Sequence, residues 1–165
     1  MTRTQQTHSI EPVYDKNSRV LILGSFPSVK SREAKFFYGH PQNRFWRVLA
    51  RLFDEPIPEN VADKKKLLIT HHIALWDVIK SCEIDGSSDT SISDVTPNDI
   101  SVILGTADIA AIFCNGAKAY ELYNRHIKPI VKTSALKLPS TSPANAACTL
   151  DKLCESWQII KEYTN

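Results

Sequence analysis

No apolar run in the 165-residue chain approaches the roughly 20 residues that a membrane span requires. The opening residues, MTRTQQTHSIEPVYDK, lack the apolar centre of a signal peptide, so a cytoplasmic protein is expected. None of the four cysteines (Cys82, Cys114, Cys148 and Cys154) stands in a C-x-x-C pair. Without a secretion signal, disulfides are not expected, and the spacing gives no support to a zinc or iron–sulfur site. Buried free thiols are the expectation, with no metal and no cofactor. Repeats, low-complexity tracts and domain linkers are also absent, which fits one domain over residues 1–165 with a polar lead-in over residues 1–18.

Charge of one sign is missing over long stretches. From Ser81 to Ala117 there are six acids and no Lys or Arg, and from Leu122 to Leu150 there are four basic residues and no acid. Between Lys30 and Arg51 six basic residues accompany one acid, Glu33. Two basic zones around an acidic middle suit a molecule whose basic face meets an anion. The plain alternative is a set of scattered, solvated charges.

What the chain does have is concentrated between Val20 and Leu49. Arg19 to Leu23 reads as a short strand buried on both faces, because its apolar run is continuous rather than alternating. It stops at Gly24. A proline-bearing turn, a basic aromatic loop and the run His40-Pro-Gln-Asn-Arg-Phe-Trp46 follow. Asn43 is placed to cap a helix over about Arg44 to Phe53, with Phe45, Val48, Leu49 and Leu52 on its apolar face. Further helices are expected at residues 61–71, with Lys64, Lys65 and Lys66 exposed, from Thr96 as cap to Leu104, from Ala117 to Ile127, and from Ala144 to Tyr163. Ile73–Ile79, Ile109–Cys114 and Ala135–Leu138 read as strands. Cys82–Asp94 and Pro129–Thr133 read as loops, and one extra turn of structure is expected around Ile10 to Tyr14. Strands alternating with helices predict a parallel sheet covered on both faces.

Three patterns lead nowhere firm. Gly24 to Ser31 approaches a phosphate-binding loop, but Val29 replaces the second glycine and the next strand ends Phe113-Cys-Asn115 without an aspartate for magnesium. His71 and His72 are adjacent, so their side chains point apart, and solvated or capping roles are expected. Ser140, Thr141 and Ser142 have no G-x-S-x-G elbow and are better read as hydrogen-bond donors. The informative segments are the loops Ser25–Asn43 and Leu138–Asn145. Both follow strand C-termini, so a parallel sheet puts them on one edge. Prolines, hydroxyls and backbone amides can hold phosphates. An aromatic face with an amide, as in Tyr38 and Asn43, suits an extruded base. Phe45 and Trp46 are expected in the core.

Tyr38-Gly-His-Pro-Gln-Asn-Arg-Phe-Trp46 resembles the corresponding run of mismatch-specific uracil-DNA glycosylases. GSFPS with LPSTSPAN resembles most the hypoxanthine-DNA (deoxyinosine) glycosylase branch of the uracil-DNA glycosylase superfamily. The resemblance covers nearly the whole chain and implies a three-layer α/β/α sandwich with a short central, mainly parallel four-stranded sheet. It implies a monomeric, monofunctional enzyme that hydrolyses the N-glycosidic bond of a deaminated base in DNA during base excision repair. The superfamily's usual first-motif acid is missing, since Ser25-Phe26 stands there. The resemblance therefore puts catalysis on Asn43, base binding on Tyr38, Phe26, Gly24 and Ser25, and DNA binding on Ser28, Lys30, His40, Ser140, Thr141, Ser142 and Asn145. Lys30, Arg32, Lys35 and Lys137 would supply salt-dependent attraction. The usual wedge leucine is absent, with Ser142, Pro143 and Ala144 near its place. A mismatch-specific uracil-DNA glycosylase and a non-catalytic nucleic-acid or nucleotide binder are the alternatives.

Overall fold

Val20–Gly24 forms strand β2, and every residue of it is buried. It pairs in parallel with β3 (Ile73–Asp77) on one side and β6 (Ala111–Asn115) on the other. β7 (Leu136–Leu138) adds in parallel to β6, so the sheet runs β3-β2-β6-β7. The computed structural model describes residues 4–7, 10–27, 29–34, 36–84 and 92–164.

Side chains of a strand alternate between faces, and β2 shows what each face meets. Val20 and Ile22 join a core with Phe45, Trp46, Leu49, Leu68 and Trp157. Leu21 and Leu23 join a second core with Ile100, Ile103, Leu122 and Tyr123. The first face is covered by α2 (Phe45–Leu52), α3 (Val61–Thr70) and α7 (Leu150–Trp157). The second is covered by α4 (Ser101–Thr106) and α5 (Ala117–Leu122). These are the three layers predicted. Phe36 and Phe37 also lie in the core, 4% and 2% exposed, beside the expected Phe45 and Trp46.

Several local expectations are corrected. Thr4–Thr7 (β1), Ile79–Ile84 (β4) and Ser93–Pro97 (β5) make a separate antiparallel sheet in the order β1-β4-β5. The predicted loop Cys82–Asp94 is therefore strand at both ends, while residues 85–91 lie outside the described residues. The apolar run from Ile73 breaks at Val78 into two strands. Thr96 and Pro97 end an edge strand instead of starting a helix, since proline is tolerated where no ladder partner is needed; the helix begins at Ser101. Ile10–Tyr14 holds no extra turn, and Val13 instead bridges Leu75 antiparallel.

Past α5 the helix widens into a π-turn, Tyr123–Ile127, and continues as α6 (Lys128–Val131), where a loop was expected. Pro129 is tolerated there in the first turn. The last helix starts at Leu150, capped by Thr149 Oγ1 accepting from Lys152 N at 3.2 Å. It ends as a 3₁₀ turn over Gln158–Glu162. Lys64 is half-buried with its Nζ 5.3 Å from the Trp46 ring centre, and burial lowers its pKa. His71 pairs with Glu55 and stacks on Phe53, and His72 Nδ1 meets Thr164 O at 3.0 Å.

Cys82, Cys114 and Cys154 are buried free thiols, whereas Cys148 is half-buried. Burial pushes the Cys114 thiol up to about 12. Burial, with Cys114 adding to it, does the same to the Tyr123 phenol. Alkylation of the native protein at neutral pH is expected to label Cys148 first and to spare Cys114 until denaturant is added. A Cys114 that reacts as fast as an exposed thiol contradicts this placement. The protonated Tyr123 is favoured in the folded state. Its contribution is full below about 10, the unfolded tyrosine value, and is lost as pH rises towards about 12. Denaturant midpoints measured across that range check the sign.

Candidate active site

The two loops singled out by sequence do meet. At the carboxyl edge of the parallel sheet they line one cavity of about 310 Å³. That is the lower end of the roughly 300–1,000 Å³ of small-molecule sites. Gly24, Ser25, Phe26 and Pro27 form one side, Phe37, Tyr38, His40 and Asn43 a second, and Ser140 to Ala144 a third. Ser31, Asp77 and Asn115 complete the wall.

The first loop is held from within. Ser31, on α1 (Val29–Ala34), accepts from Gly39 N at 2.9 Å. Tyr38 takes a left-handed backbone, φ 53°. Such a conformation in a non-glycine residue costs about 1–3 kcal/mol and persists only where its surroundings hold it. Here the Tyr38 ring stacks on Phe45 at 4.2 Å, while the tyrosine itself lines the cavity. Phe45 is fixed in turn by Trp46 and Trp157, both edge-on. Next comes a tight turn in which Asn43 N donates to His40 O at 3.0 Å and Gln42 N to His40 Nδ1 at 3.1 Å.

Asn43 is not the helix cap that was expected. The cap position belongs to Arg44. Asn43 Oδ1 accepts from Phe45 N at 2.9 Å, a local turn that asparagine favours. The oxygen is thus engaged within the loop, while the residue lines the cavity.

Asp77 is the cavity-lining residue that sequence reading missed. It ends β3, 3% exposed, directly opposite Gly24 in the parallel register. A Cβ placed on Gly24 would lie 2.5 Å from Asp77 Oδ1 and 3.0 Å from the Tyr38 hydroxyl. The strand ends are tied as well: Val78 N donates to Gly24 O at 2.8 Å, and Asn98 Nδ2 to Asp77 O at 3.0 Å. So the cavity does contain a carboxylate, supplied by the neighbouring strand rather than by the first motif. Its signal in the sequence was an acid at the end of an apolar run.

The third side is fixed from β6. Asn115 Nδ2 donates to Thr141 Oγ1, and Thr141 N donates to Asn115 Oδ1, both at 3.0 Å. Thr141 is fully buried, so its hydroxyl serves the loop rather than the surface. Gly116, at φ 100°, has Ser140 Cβ 3.0 Å from where its own Cβ would be, which is why glycine stands there. Asn145 lies behind the lining and donates Nδ2 to Ser140 O at 3.0 Å. Arg32 holds its guanidinium 5.2 Å from the Phe26 ring centre, and partial burial lowers its pKa. Lys137 is exposed on β7. Ser28 and Lys35 lie outside the described residues, and of Lys30 only the backbone, in α1, is described. Among the described residues no cluster of three or more His, Cys, Asp or Glu could hold a metal ion, and no helix is long and apolar enough to cross a membrane.

A small-residue strand end, an aromatic wall and a proline-rich hydroxyl loop thus share one sheet edge. Residues 11–162 match the family model of the uracil DNA glycosylase superfamily. A hypoxanthine DNA glycosylase of Methanosarcina acetivorans is 33% identical over 153 residues, covering 90% of this chain and 93% of its own. One of Methanosarcina barkeri is 34% identical over 139 residues, covering 81% and 85%. The solution NMR structure of a candidate uracil DNA glycosylase from Methanosarcina acetivorans superposes with a TM-score of 0.81 at 31% identity, covering 98% of this chain and 99% of that one. The chain belongs to the uracil DNA glycosylase superfamily.

The close approach at Gly24 yields a test. Gly24→Ala forces the Asp77 carboxyl aside while leaving the buried strand apolar. The variant is expected to melt within a few degrees of wild type and to lose glycosylase rate by about 10²-fold, the scale of a misplaced site group. A fully active Gly24→Ala contradicts the packing of Asp77 against this strand.

Proposed function

We propose that this protein is a monofunctional DNA glycosylase that releases hypoxanthine from DNA. The observation that carries the reading is the cavity itself, which gathers Tyr38, Asn43 and Asp77 between two loops rich in prolines and hydroxyls. The names of the two Methanosarcina relatives support the choice of base. Uracil, the second candidate, shares the chemical feature on which the argument turns.

The nucleotide would leave the duplex, at a cost of a few kcal/mol that is least for a mispaired base. Tyr38, which lines the cavity, would stack on the base. Asp77, a buried acid of the wall, would meet the base edge farthest from the sugar. Deamination turns the acceptor nitrogen of adenine or cytosine into an N–H donor. An ionised carboxylate there would accept from that N–H and be repelled by the bare ring nitrogen of the ordinary base.

The bond between the sugar carbon and the base nitrogen then breaks through an oxocarbenium-like sugar, as in other glycosyl transfers. The base carries away the bonding electrons and takes up a proton. Water adds to the sugar carbon and loses a proton to solvent, leaving an abasic site. Asn43, presenting Nδ2, would hold the attacking water by its oxygen. An amide is a poor base, so the rate would rest on positioning and electrostatics. Backbone amides near Phe26 would hydrogen-bond the departing ring. His40, Ser140 and Ser142, at the cavity rim, would hold phosphates, with Lys30, Arg32, Lys35 and Lys137 adding attraction.

The test offers purified protein DNA with a single hypoxanthine or uracil, followed by alkali. Strand breaks at hypoxanthine, faster than at uracil, are expected. Absence of breaks on both at excess enzyme would sink the reading and favour a non-catalytic binder. Asn43→Ala should lower the single-turnover rate by about 10²–10³-fold, as loss of one preorganised donor does. Full activity in that variant removes Asn43 from the mechanism. Asp77→Asn should narrow the preference for hypoxanthine over adenine. An unchanged preference rules out base reading by Asp77.

A further inference from the structure

Arg44 follows Asn43 directly, yet its side chain does not line the cavity. Its backbone N–H donates to Thr141 O at 3.1 Å. Its guanidinium donates to Ser142 O at 2.8 Å and Asn145 O at 3.0 Å, and also to Cys148 O. Four main-chain carbonyls of one irregular loop thus converge on a single residue. The three that meet the guanidinium recur at every third position, so the loop wraps around the planar fork. Only arginine offers several rigidly spread donors to such a set; lysine presents a compact ammonium.

We infer that Arg44 is a positioning residue that hangs the whole 141–148 loop on the segment bearing Asn43. One guanidinium thereby sets the gap between the two walls of the cavity. Asn115 holds Thr141 from the opposite side, and Trp157 Nε1 donates to Pro139 O at 3.0 Å, so the loop is braced at its entry while Arg44 controls the remainder. An arginine in a DNA-binding protein is ordinarily read as a phosphate contact. Here three of the five N–H donors already meet carbonyls. The inference rests on the proposed glycosylase reading for its effect on rate, but the clamp can be observed without it.

Arg44→Lys keeps the charge and removes the fork. Hydrogen exchange should quicken at the amides of residues 142–148 and stay unchanged in β2 and β6. The single-turnover rate on hypoxanthine DNA should fall about ten- to hundredfold, the cost of misplacing a site by about 1 Å. Arg44→Ala should regain part of that loss when methylguanidinium is added below denaturing concentration. For Arg44→Ala the slope of log affinity against log salt should match wild type, because no phosphate contact is lost. A slope smaller by about 1 would make Arg44 a phosphate contact and overturn the inference. Unchanged exchange in the loop, or a fully active Arg44→Lys, would overturn it too. If Arg44→Ala does not fold, Arg44→Lys still decides through exchange and rate. Wild-type inactivity on hypoxanthine and uracil sinks the glycosylase reading alone, and loop exchange still judges the clamp.

Discussion

Everything at the cavity depends on the parallel pairing of β2 with a neighbour on each side. The pairing puts Leu23 beside Cys114 and Gly24 beside Asp77. All three strands therefore end at one level. The loops that leave them have no choice but to meet. Burial on both faces makes that register costly to slip, since a shift by one residue would exchange the two cores. The positions of Asn43, Asp77 and Ser140 are thus fixed by strand register first and by loop contacts second.

The loop contacts then convert proximity into geometry. Asn115, Trp157 and Arg44 all use hydrogen bonds to main-chain groups of the 139–148 loop. Such bonds set the path of the loop through its main chain. The first loop uses a different device. Its aromatic residues pack against one another, and the backbone strain at Tyr38 is borne by the stack on Phe45. One wall is rigid through packing and the other through hydrogen bonding.

β2, β3 and β6 of the central sheet were legible in the sequence because they are continuous apolar runs, as strands buried on both faces are. The antiparallel sheet was not. β1 and β5 are polar, and what makes them strands is their pairing with β4 rather than any pattern of their own. The proline at position 97 carried two meanings, helix start and strand edge, and only tertiary pairing chose between them. Both walls of the site could be read from prolines, hydroxyls and the family resemblance. Asp77 could not, because its approach to Gly24 comes from register, and register is not written in either segment alone. Asn43 lines the cavity but does not sit at the helix cap; that position falls on Arg44, which makes no side-chain cap bond.

The fastening of the second wall also says something about the order in which the site comes into being. The bond from Arg44 to Cys148 joins positions 104 apart in the chain. Trp157, which braces the same loop, lies further along still, on α7. Contacts of such wide separation are late events in folding. A nascent chain that has released β2 and Asn43 but not yet α7 carries half of a cleft, open to solvent and unable to enclose a base. The cavity is therefore completed only after elements far downstream of β2 are in place.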